Sequence, residues 1–595
     1  MKGRKFLPLL VIAAGLLAYC NSFTGPFIFD DLDSIQENPT IRHLWPIWQP
    51  LSPPHRGGIA VEDRPLINLS LAINYALGGS DVWGYHALNL AVHILAGLTL
   101  FGIVRRTLLQ PNLRERFGAA ADELALAVAL LWTVHPLLTE SVTYIVQRTE
   151  SIMGLLFLVT LYCFICGTES ARSRLWYGLC LVACALGMTS KEVMVAAPPV
   201  VLLYDRVFLV SSFRELWRRR AALYAGLAAT WLILVVLVVR TPHTATGFGI
   251  EGLTPWEYLK TQAGVIIYYL RLCFWPHPLV IDYFDWPVAR SLKDALVPGI
   301  VIVGLLGATV WAFRRRPSMG FLGAWFFLIM APTSSFLPNL GEVAAERRMY
   351  LPLAAVVAIA VIGIHALAGR RSLPVFLGLA VGLGFLTTQR NEVYRSSLAI
   401  WSDAVAKRPE NARAQYNLGT VLAADGRLPE AIEHFEQSLR IDPHKAEAHY
   451  NLAFALFRMG RVTEAIKHDE QALQIDPNLA EAHGNLGVAF AQLGRMPEAI
   501  EQWEQAVRIN SEYAEAHNNL GIALGQAGNL PEAIAHYEQA VRINPEYAEA
   551  HYNLGLDLSQ VGRIQEATAH LEQAVRIKPD FTEARDALAR LQARR

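Results

Sequence analysis

The sequence predicts an all-α protein in two parts: a polytopic bundle of about eleven membrane-spanning helices over residues 1–389, then an α-solenoid over 390–595. Two observations carry this reading. Apolar side chains make up 53% of the 595 residues and charged ones only 17%, with mean hydropathy +0.28, a composition that suits a bilayer better than a water-soluble core. The apolar runs also stop near residue 388, after which Glu, Ala, Gln, His and Arg dominate, so the chain meets two solvents and divides there. A net charge of zero and the lack of a long basic tract argue against nucleic acid as a partner.

Runs able to cross roughly 30 Å of hydrocarbon lie near 6–23, 86–104, 122–138, 151–167, 175–189, 192–204, 221–239, 295–313, 320–337, 351–368 and 373–388. Several are short and require deep or bent packing. The opening "MKGRKFLPLLVIAAGLLAYC" has a signal peptide's basic start without a convincing small-residue cleavage site, and reads as a retained first span. Cys20, Cys163, Cys166, Cys180, Cys184 and Cys273 all lie in or beside apolar runs, where a thiol acts as a small hydrophobe. The spacing of Cys163 and Cys166 is that of C-x-x-C, but no redox domain surrounds it.

Orientation follows from Lys and Arg in short loops, which favour the cytoplasmic side. Lys2, Arg4 and Lys5 put the N-terminus inside, and Arg105, Arg106, Arg114 and Arg116, then Arg172 and Arg174, then Arg218, Arg219 and Arg220 alternate without conflict. The segment 256–276 is read as re-entrant or lying along the outer interface, because a further crossing there would place Arg314, Arg315 and Arg316 outside. The first loop, the 139–150 loop, Lys191 with Glu192, the 338–350 loop and the solenoid are then expected on one non-cytoplasmic side.

Beyond residue 410, Asn417, Asn451, Asn485, Asn519 and Asn553 recur every 34 residues, followed by Ala431, Ala465, Ala499, Ala533 and Ala567, with Pro443, Pro477, Pro545 and Pro579 closing most units. This is the period of the tetratricopeptide helix-turn-helix repeat: about five full repeats, a half-repeat before them and a C-terminal cap. Ser511 stands where Pro is expected, and Asp469 replaces the large apolar residue seen as Phe435, Trp503 or Tyr537. The asparagine column resembles the ladder that lines the superhelix of O-GlcNAc transferase, where an amide, both donor and acceptor, holds any peptide backbone. A purely local packing role is the plain alternative. His449, His483, His517 and His551 are not expected to bind metal across repeats, which hold them far apart.

On the predicted outer side, "FIFDD" brings Asp30 and Asp31 together, and Arg64, His86, His93, His135, Glu140, Arg148, Glu150, Lys191, Glu192, Glu346, Arg347, Arg348 and Tyr350 lie at or near the outer ends of spans. Ionisable groups at such depth are functional candidates, although Arg and Lys also snorkel and pair with acids structurally. As a set, acids beside several cations suit an anionic lipid headgroup next to a catalytic carboxylate.

The stretches "FIFDDLDSIQENPTIR", "RPLINLSLAINYALGGSDVWGYHALNLAVH", "HPLLTESVTYIVQRTES", "SKEVMVAAPPVVLLYD" and "AAERRMYLP", followed by the repeats, resemble the transmembrane and tetratricopeptide repeat-containing (TMTC) O-mannosyltransferases and their bacterial relatives. The resemblance implies a GT-C glycosyltransferase fold that moves a sugar, mannose in the family, from a polyprenyl or dolichyl phosphate to protein Ser or Thr hydroxyls outside the cytoplasm. The family's acidic pair falls on Asp30 and Asp31. A hydroxyl is a weak nucleophile, so one of them is expected as general base. The other would orient it or hold a divalent cation such as Mg or Mn on the leaving phosphate. Arg64, Arg148, Lys191 and Arg347 are the expected phosphate-binding cations. Glu140 and Glu192 are expected to support them, His86 less securely, and the five ladder asparagines to bind the acceptor peptide. Two other readings compete: a membrane-anchored repeat scaffold for envelope or lumenal proteins, and transfer to a glycan or lipid. The compartment, bacterial inner membrane or endoplasmic reticulum, is left open.

Overall fold

The computed structural model describes residues 6–54, 60–240, 253–335, 338 and 341–593. Lys2, Arg4 and Lys5, on which the expected N-terminal orientation rests, lie outside the described residues. Among those described no β-strand occurs, and the molecule divides into two compact units, 1–408 and 409–595. The division falls about twenty residues after the composition changes. The helix Ser397–Lys407 belongs to the first unit, tied there by Lys407 Nζ to the Leu279 carbonyl (2.9 Å), Arg408 to Asp285 (2.6 Å) and Trp401 edge-on to Phe29.

Each apolar run read from the sequence carries a helix over most of its described residues. Val82–Leu108, Ile145–Glu169, Phe213–Val239, Leu292–Arg315 and Ser372–Val393 are long and apolar enough to cross a bilayer, and Pro111–Thr133 with Pro136–Thr143 would add a sixth crossing as a pair bent by 54°. Leu7–Ala18, Ser173–Met188, Pro317–Met330 and Pro352–Ala368 are shorter apolar helices, and Ala197–Phe208 follows the turn Glu192–Ala196. The 256–276 segment forms the helix Pro255–Phe274, started by a reciprocal cap between Thr254 and Glu257. The bend at His135–Pro136 has a simple cause: proline has no N–H and pushes its predecessor out of the helical region. His135 takes over the capping, accepting from Leu137 N through Nδ1 and reaching the Cys273 carbonyl with Nε2.

Buried polar contacts fix which helices meet. Trp132 Nε1 donates to the Tyr350 carbonyl (2.8 Å), and His93, donating from Nε2 to the Thr133 carbonyl (2.9 Å), accepts from the Tyr350 hydroxyl at Nδ1 (3.0 Å). A Cβ on Gly154 would sit 2.4 Å from the Tyr350 ring, so only glycine lets the 341–350 segment dock so closely. The first helix is pinned to the last through Asn391 Nδ2 to the Ala18 carbonyl (3.0 Å) and Asn21 Nδ2 to Glu392 (2.6 Å).

In the second unit, helix pairs run from Ala412–Ala424 with Leu428–Ile441 to Ala548–Gln560 with Ile564–Ile577, and Thr582–Ala593 covers the end. Each pair turns at a glycine, Gly426, Gly460, Gly494, Gly528 or Gly562, with φ between 75° and 84°, a region that penalises any side chain. Within the pairs, Gly419, Gly487, Gly521 and Gly555 face Phe435, Trp503, Tyr537 and Leu571, where a Cβ would come within 2.8 Å. The repeat that carries Asp469 instead of a bulky residue has Ala453 at the glycine position. The smaller partner leaves room for a methyl group. Ser511, in place of the expected proline, accepts from His517 Nε2 (3.3 Å) just as Pro443 accepts from His449, so only the backbone carbonyl is needed there.

Candidate functional site

The segment after the first helix is held before it reaches its acids. His86 Nε2 donates to the Gly25 carbonyl (2.9 Å), and a Cβ on Gly25 would meet the Tyr394 carbonyl at 3.2 Å. Phe29 then takes φ 47°, a left-handed conformation unusual for an aromatic residue and of the kind that accumulates at functional sites. The second such non-glycine residue among those described is Asp63, φ 59°, immediately before Arg64.

That turn separates the two acids. Asp31 is fully buried, with Oδ2 accepting from Ile28 N (3.1 Å) and Oδ1 from Val146 N (2.8 Å). Burial pushes its carboxyl up to about 8 against the pull of these two amides, and Asp30 beside it adds to the rise. Asp31 therefore clamps the first loop onto the turn Ile145–Gln147. Asp30 is half-exposed, and its backbone N–H donates to the Tyr144 hydroxyl (2.8 Å). The pair makes a poor two-carboxylate metal seat, because Asp31 is fully buried and burial favours its protonated form; among the described residues no three His, Cys, Asp or Glu side chains converge as a metal site.

The cations gather beyond Tyr144, which lies in the field of Asp30, Asp31 and Arg347 alike. Arg347 pairs with Glu140 and Glu342, and its backbone N–H also donates to Glu140 (3.1 Å). Arg348 donates to the carbonyls of Glu342 (2.5 Å) and Val343 (3.1 Å). Lys191 pairs with Glu150 (2.5 Å), and Arg64 Nη1 donates to the Ala60 carbonyl (2.5 Å). The charges of Lys191, Arg64 and Arg348 act on Glu192. Burial opposes ionisation of Glu342, but Arg347, Arg348 and Lys191 overcome it and hold its carboxyl at about 2. Four cations thus face Glu140, Glu150, Glu192 and Glu342, a balanced cluster.

Arg148 is placed differently. It is fully buried, with Nη1 on Asn74 Oδ1 (2.7 Å), Nη2 on the Tyr85 carbonyl (3.2 Å) and the Tyr85 ring beneath it; these contacts make it a post between helices. His86 is likewise buried and spent on Gly25. Two residues not singled out from sequence belong to the cluster's frame, Tyr144 and Glu342; Arg390, also not singled out, lies by Glu346 and donates to Asp403 (2.9 Å). Glu342 stands five residues before Arg347, and that spacing was its one local signal. Glu346 turns away, accepting from Val280 N (2.6 Å) and the Tyr283 hydroxyl (2.5 Å); burial raises it to about 7.

In the repeat unit the ladder asparagines are all half-buried and in register. Asn451 donates to the Tyr416 hydroxyl (2.8 Å) and Asn553 to Asn518 Oδ1 (3.0 Å), whereas the buried side-chain nitrogen of Asn417 makes no hydrogen bond and the Asn485 amide lies against the Asp469 carboxyl. The histidines do pair, but within repeats: His449 with His468, His517 with His536 and His551 with His570, Nδ1 to Nδ1 at 3.0–3.1 Å. Gln415–His434 and His483–Gln502 fill the same slot.

Residues 62–239 match the dolichyl-phosphate-mannose-protein mannosyltransferase family, a span that includes Arg64, His86, Glu140, Arg148, Lys191 and Glu192; residues 420–460 and 445–580 match tetratricopeptide repeats in overlapping segments. The chain is 25% identical to the Caenorhabditis elegans protein O-mannosyl-transferase F38B6.6, over 73% of this chain and 62% of that one, and 26% identical to human protein O-mannosyl-transferase TMTC1, over 73% and 55%. A shorter match, 32% identical, covers 33% of this chain and 23% of Xenopus laevis protein O-mannosyl-transferase tmtc2. The chain thus spans little more than half the length of the curated relatives it matches. Residues 62–239 thus resemble the mannosyltransferase family, the tetratricopeptide repeats follow them, and the likeness to the TMTC O-mannosyl-transferases extends over 73% of the chain.

Proposed function

We propose that the protein is a membrane glycosyltransferase that moves a sugar, mannose by its likeness to the relatives, from a polyprenyl or dolichyl phosphate to Ser or Thr hydroxyls of a polypeptide held by the repeats, on the non-cytoplasmic side. One observation supports this most: a half-exposed acid, Asp30, whose backbone N–H donates to the hydroxyl of Tyr144, a residue that lies in the field of Arg347 and so near the cluster of cations. Asp30 is the general base. It takes the proton of the acceptor hydroxyl as that oxygen forms a bond to the anomeric carbon, and the bond from that carbon to the phosphate oxygen breaks with its electron pair leaving on phosphate. Arg347, Lys191 and Arg64 stabilise the charge that develops there. Glu140, Glu150, Glu192 and Glu342 keep these cations in position between turnovers. Asp31 and Arg148 fix the loop and helix that present Asp30. No step is assigned to a metal, because Asp31 is not free to share one with Asp30. The ladder amides offer the acceptor backbone its hydrogen bonds.

The test is transfer of labelled mannose from a polyprenyl phosphate to a Ser/Thr-rich peptide by the full chain in lipid nanodiscs, compared with Asp30→Asn. Loss of about 100-fold or more in turnover is expected. Equal, undetectable transfer by both chains, with the peptide still bound, would leave the scaffold reading standing.

A further inference from the structure

The first loop exposes an apolar surface. Residues 44–54, Leu-Trp-Pro-Ile-Trp-Gln-Pro-Leu-Ser-Pro-Pro, contain no Asp, Glu, Lys or Arg. Trp45 is 77% exposed and Trp48 67%, with Ile47 and Leu51 exposed beside them. On the next helix, Pro65–Gly78, Leu77 is 82% exposed, and Trp83 projects where the following helix begins. The patch borders positive charge: Arg42, just before the stretch, lies 4.5 Å over the Tyr75 ring. Tryptophan prefers the layer between headgroups and acyl chains, where its ring is apolar and its N–H wet, and arginine suits the phosphates above it. The loop is not a helix or a closed sheet, so its unpaired backbone limits it to that layer and keeps it out of the hydrocarbon. The chain's own apolar helices put a bilayer beside it.

The loop is also rigidly joined to the acids. Asn38 Nδ2 donates to Asn68 Oδ1 (2.8 Å) and to the Ser34 carbonyl (3.0 Å), and Asn68 Nδ2 donates to the Pro50 carbonyl (2.8 Å) and Thr40 Oγ1 (2.8 Å). Asn38 and Asn68 are at most 1% exposed. From Ser34 one helical turn, Leu32–Gln36, leads back to Asp31. We propose that residues 44–54 lie in the headgroup–acyl boundary of the bilayer and, through the Asn38–Asn68 link, set the depth at which Asp30 meets a lipid-borne phosphate. Only the second half rests on the proposed transfer reaction.

The test places a spin label at Trp48→Cys in the full chain, with Cys20→Ser and Cys273→Ser, in phosphatidylcholine nanodiscs. Glu436→Cys in the repeats and Val303→Cys on the Leu292–Arg315 helix serve as water and lipid references. Collision with oxygen relative to a water-soluble nickel chelate should place residue 48 between the two references. Chelate access equal to that at Glu436, or shielding from both reagents as by a protein partner, would overturn the membrane placement. Trp45→Ser with Trp48→Ser should raise KM for the lipid-linked donor about fivefold or more while kcat stays within twofold. An unchanged KM would overturn the depth-setting role. If the parent chain transfers no sugar, the collision measurement still decides the placement.

Discussion

Asp30 and Asp31 differ by one position in the chain, and their exchange for asparagine should have opposite consequences. Asparagine at 31 has a single acceptor oxygen. Whichever of Ile28 N and Val146 N it keeps, the other buried N–H is left facing an amide NH2. An unmade hydrogen bond of this kind costs about 1–3 kcal/mol, and the loop that carries Asp30 loses its hold on the Ile145–Gln147 turn. At 30 the side chain is half-exposed, so Asp30→Asn should cost less stability than Asp31→Asn while removing a base worth about 10²–10⁴ in rate. The assays are thermal unfolding in detergent micelles and mannosyl transfer, measured on the same preparations. A pH series adds an independent check. Burial raises the Asp31 carboxyl to about 8 in the native state, above its unfolded value of about 3.9, so its contribution is full below about 4 and is lost as pH rises through about 8; Asp31→Asn removes that slope. Wild-type turnover in Asp30→Asn, together with an unchanged melting midpoint and lost turnover in Asp31→Asn, would refute the assignment.

Glu140→Ala leaves the nearly buried Arg347 without one of its two carboxylates and should cost about 3–5 kcal/mol; adding Arg347→Met should restore the melting midpoint but not transfer. The three His–His pairs should make the repeats acid-sensitive. Burial lowers these histidines, and the partner's charge lowers His468, His536 and His570 further, so the unfolded chain binds more protons below about 6.5 and stability falls as pH drops from there. His468→Gln with His536→Gln and His570→Gln, copying the natural Gln–His slots, should flatten that fall in hydrogen exchange of the repeat amides. Asp469 is buried where other repeats hold a bulky apolar group, and burial raises it to about 9. Ala453→Gly with Asp469→Phe should stabilise the repeats by about 1–3 kcal/mol, most clearly above pH 4, where the native acid resists ionisation; no gain would contradict this account of the repeat core. Asn417→Ala with Asn485→Ala should weaken acceptor-peptide binding at least tenfold with helical content unchanged, measured by fluorescence anisotropy and circular dichroism.

The helices were readable in the sequence because both periods are strong: long apolar runs in the first unit and a 34-residue repeat in the second. The bend at His135–Pro136 could be anticipated from proline chemistry and from a run too short to cross unbent. Asp30 and Asp31 could not be told apart, since adjacent acids look alike until a left-handed turn at Phe29 sends one to a backbone amide on a segment 115 residues away. Arg148, like Arg347, is a candidate cation in the sequence, and only the polar faces of two neighbouring helices show that both its Nη atoms are already engaged. The histidine pairs do not show in the 34-residue spacing between repeats. The relevant spacing is 19 residues, the distance from one helix to its antiparallel partner within a repeat.

The bonds between the first and last helices of the bundle bear on biogenesis. The Ala18 carbonyl finds its partner on Asn391, 373 residues later, so during synthesis the opening segment waits through nearly the whole translation of the bundle before its closing contact exists. Until then it is held only by its packing on Val82–Leu108 and Ala121–Thr133, as in the edge-on contact of Tyr19 with His93. Ribosome-bound intermediates halted before residue 391 should therefore protect the first helix only partly from proteolysis, and full protection should coincide with emergence of the final helix.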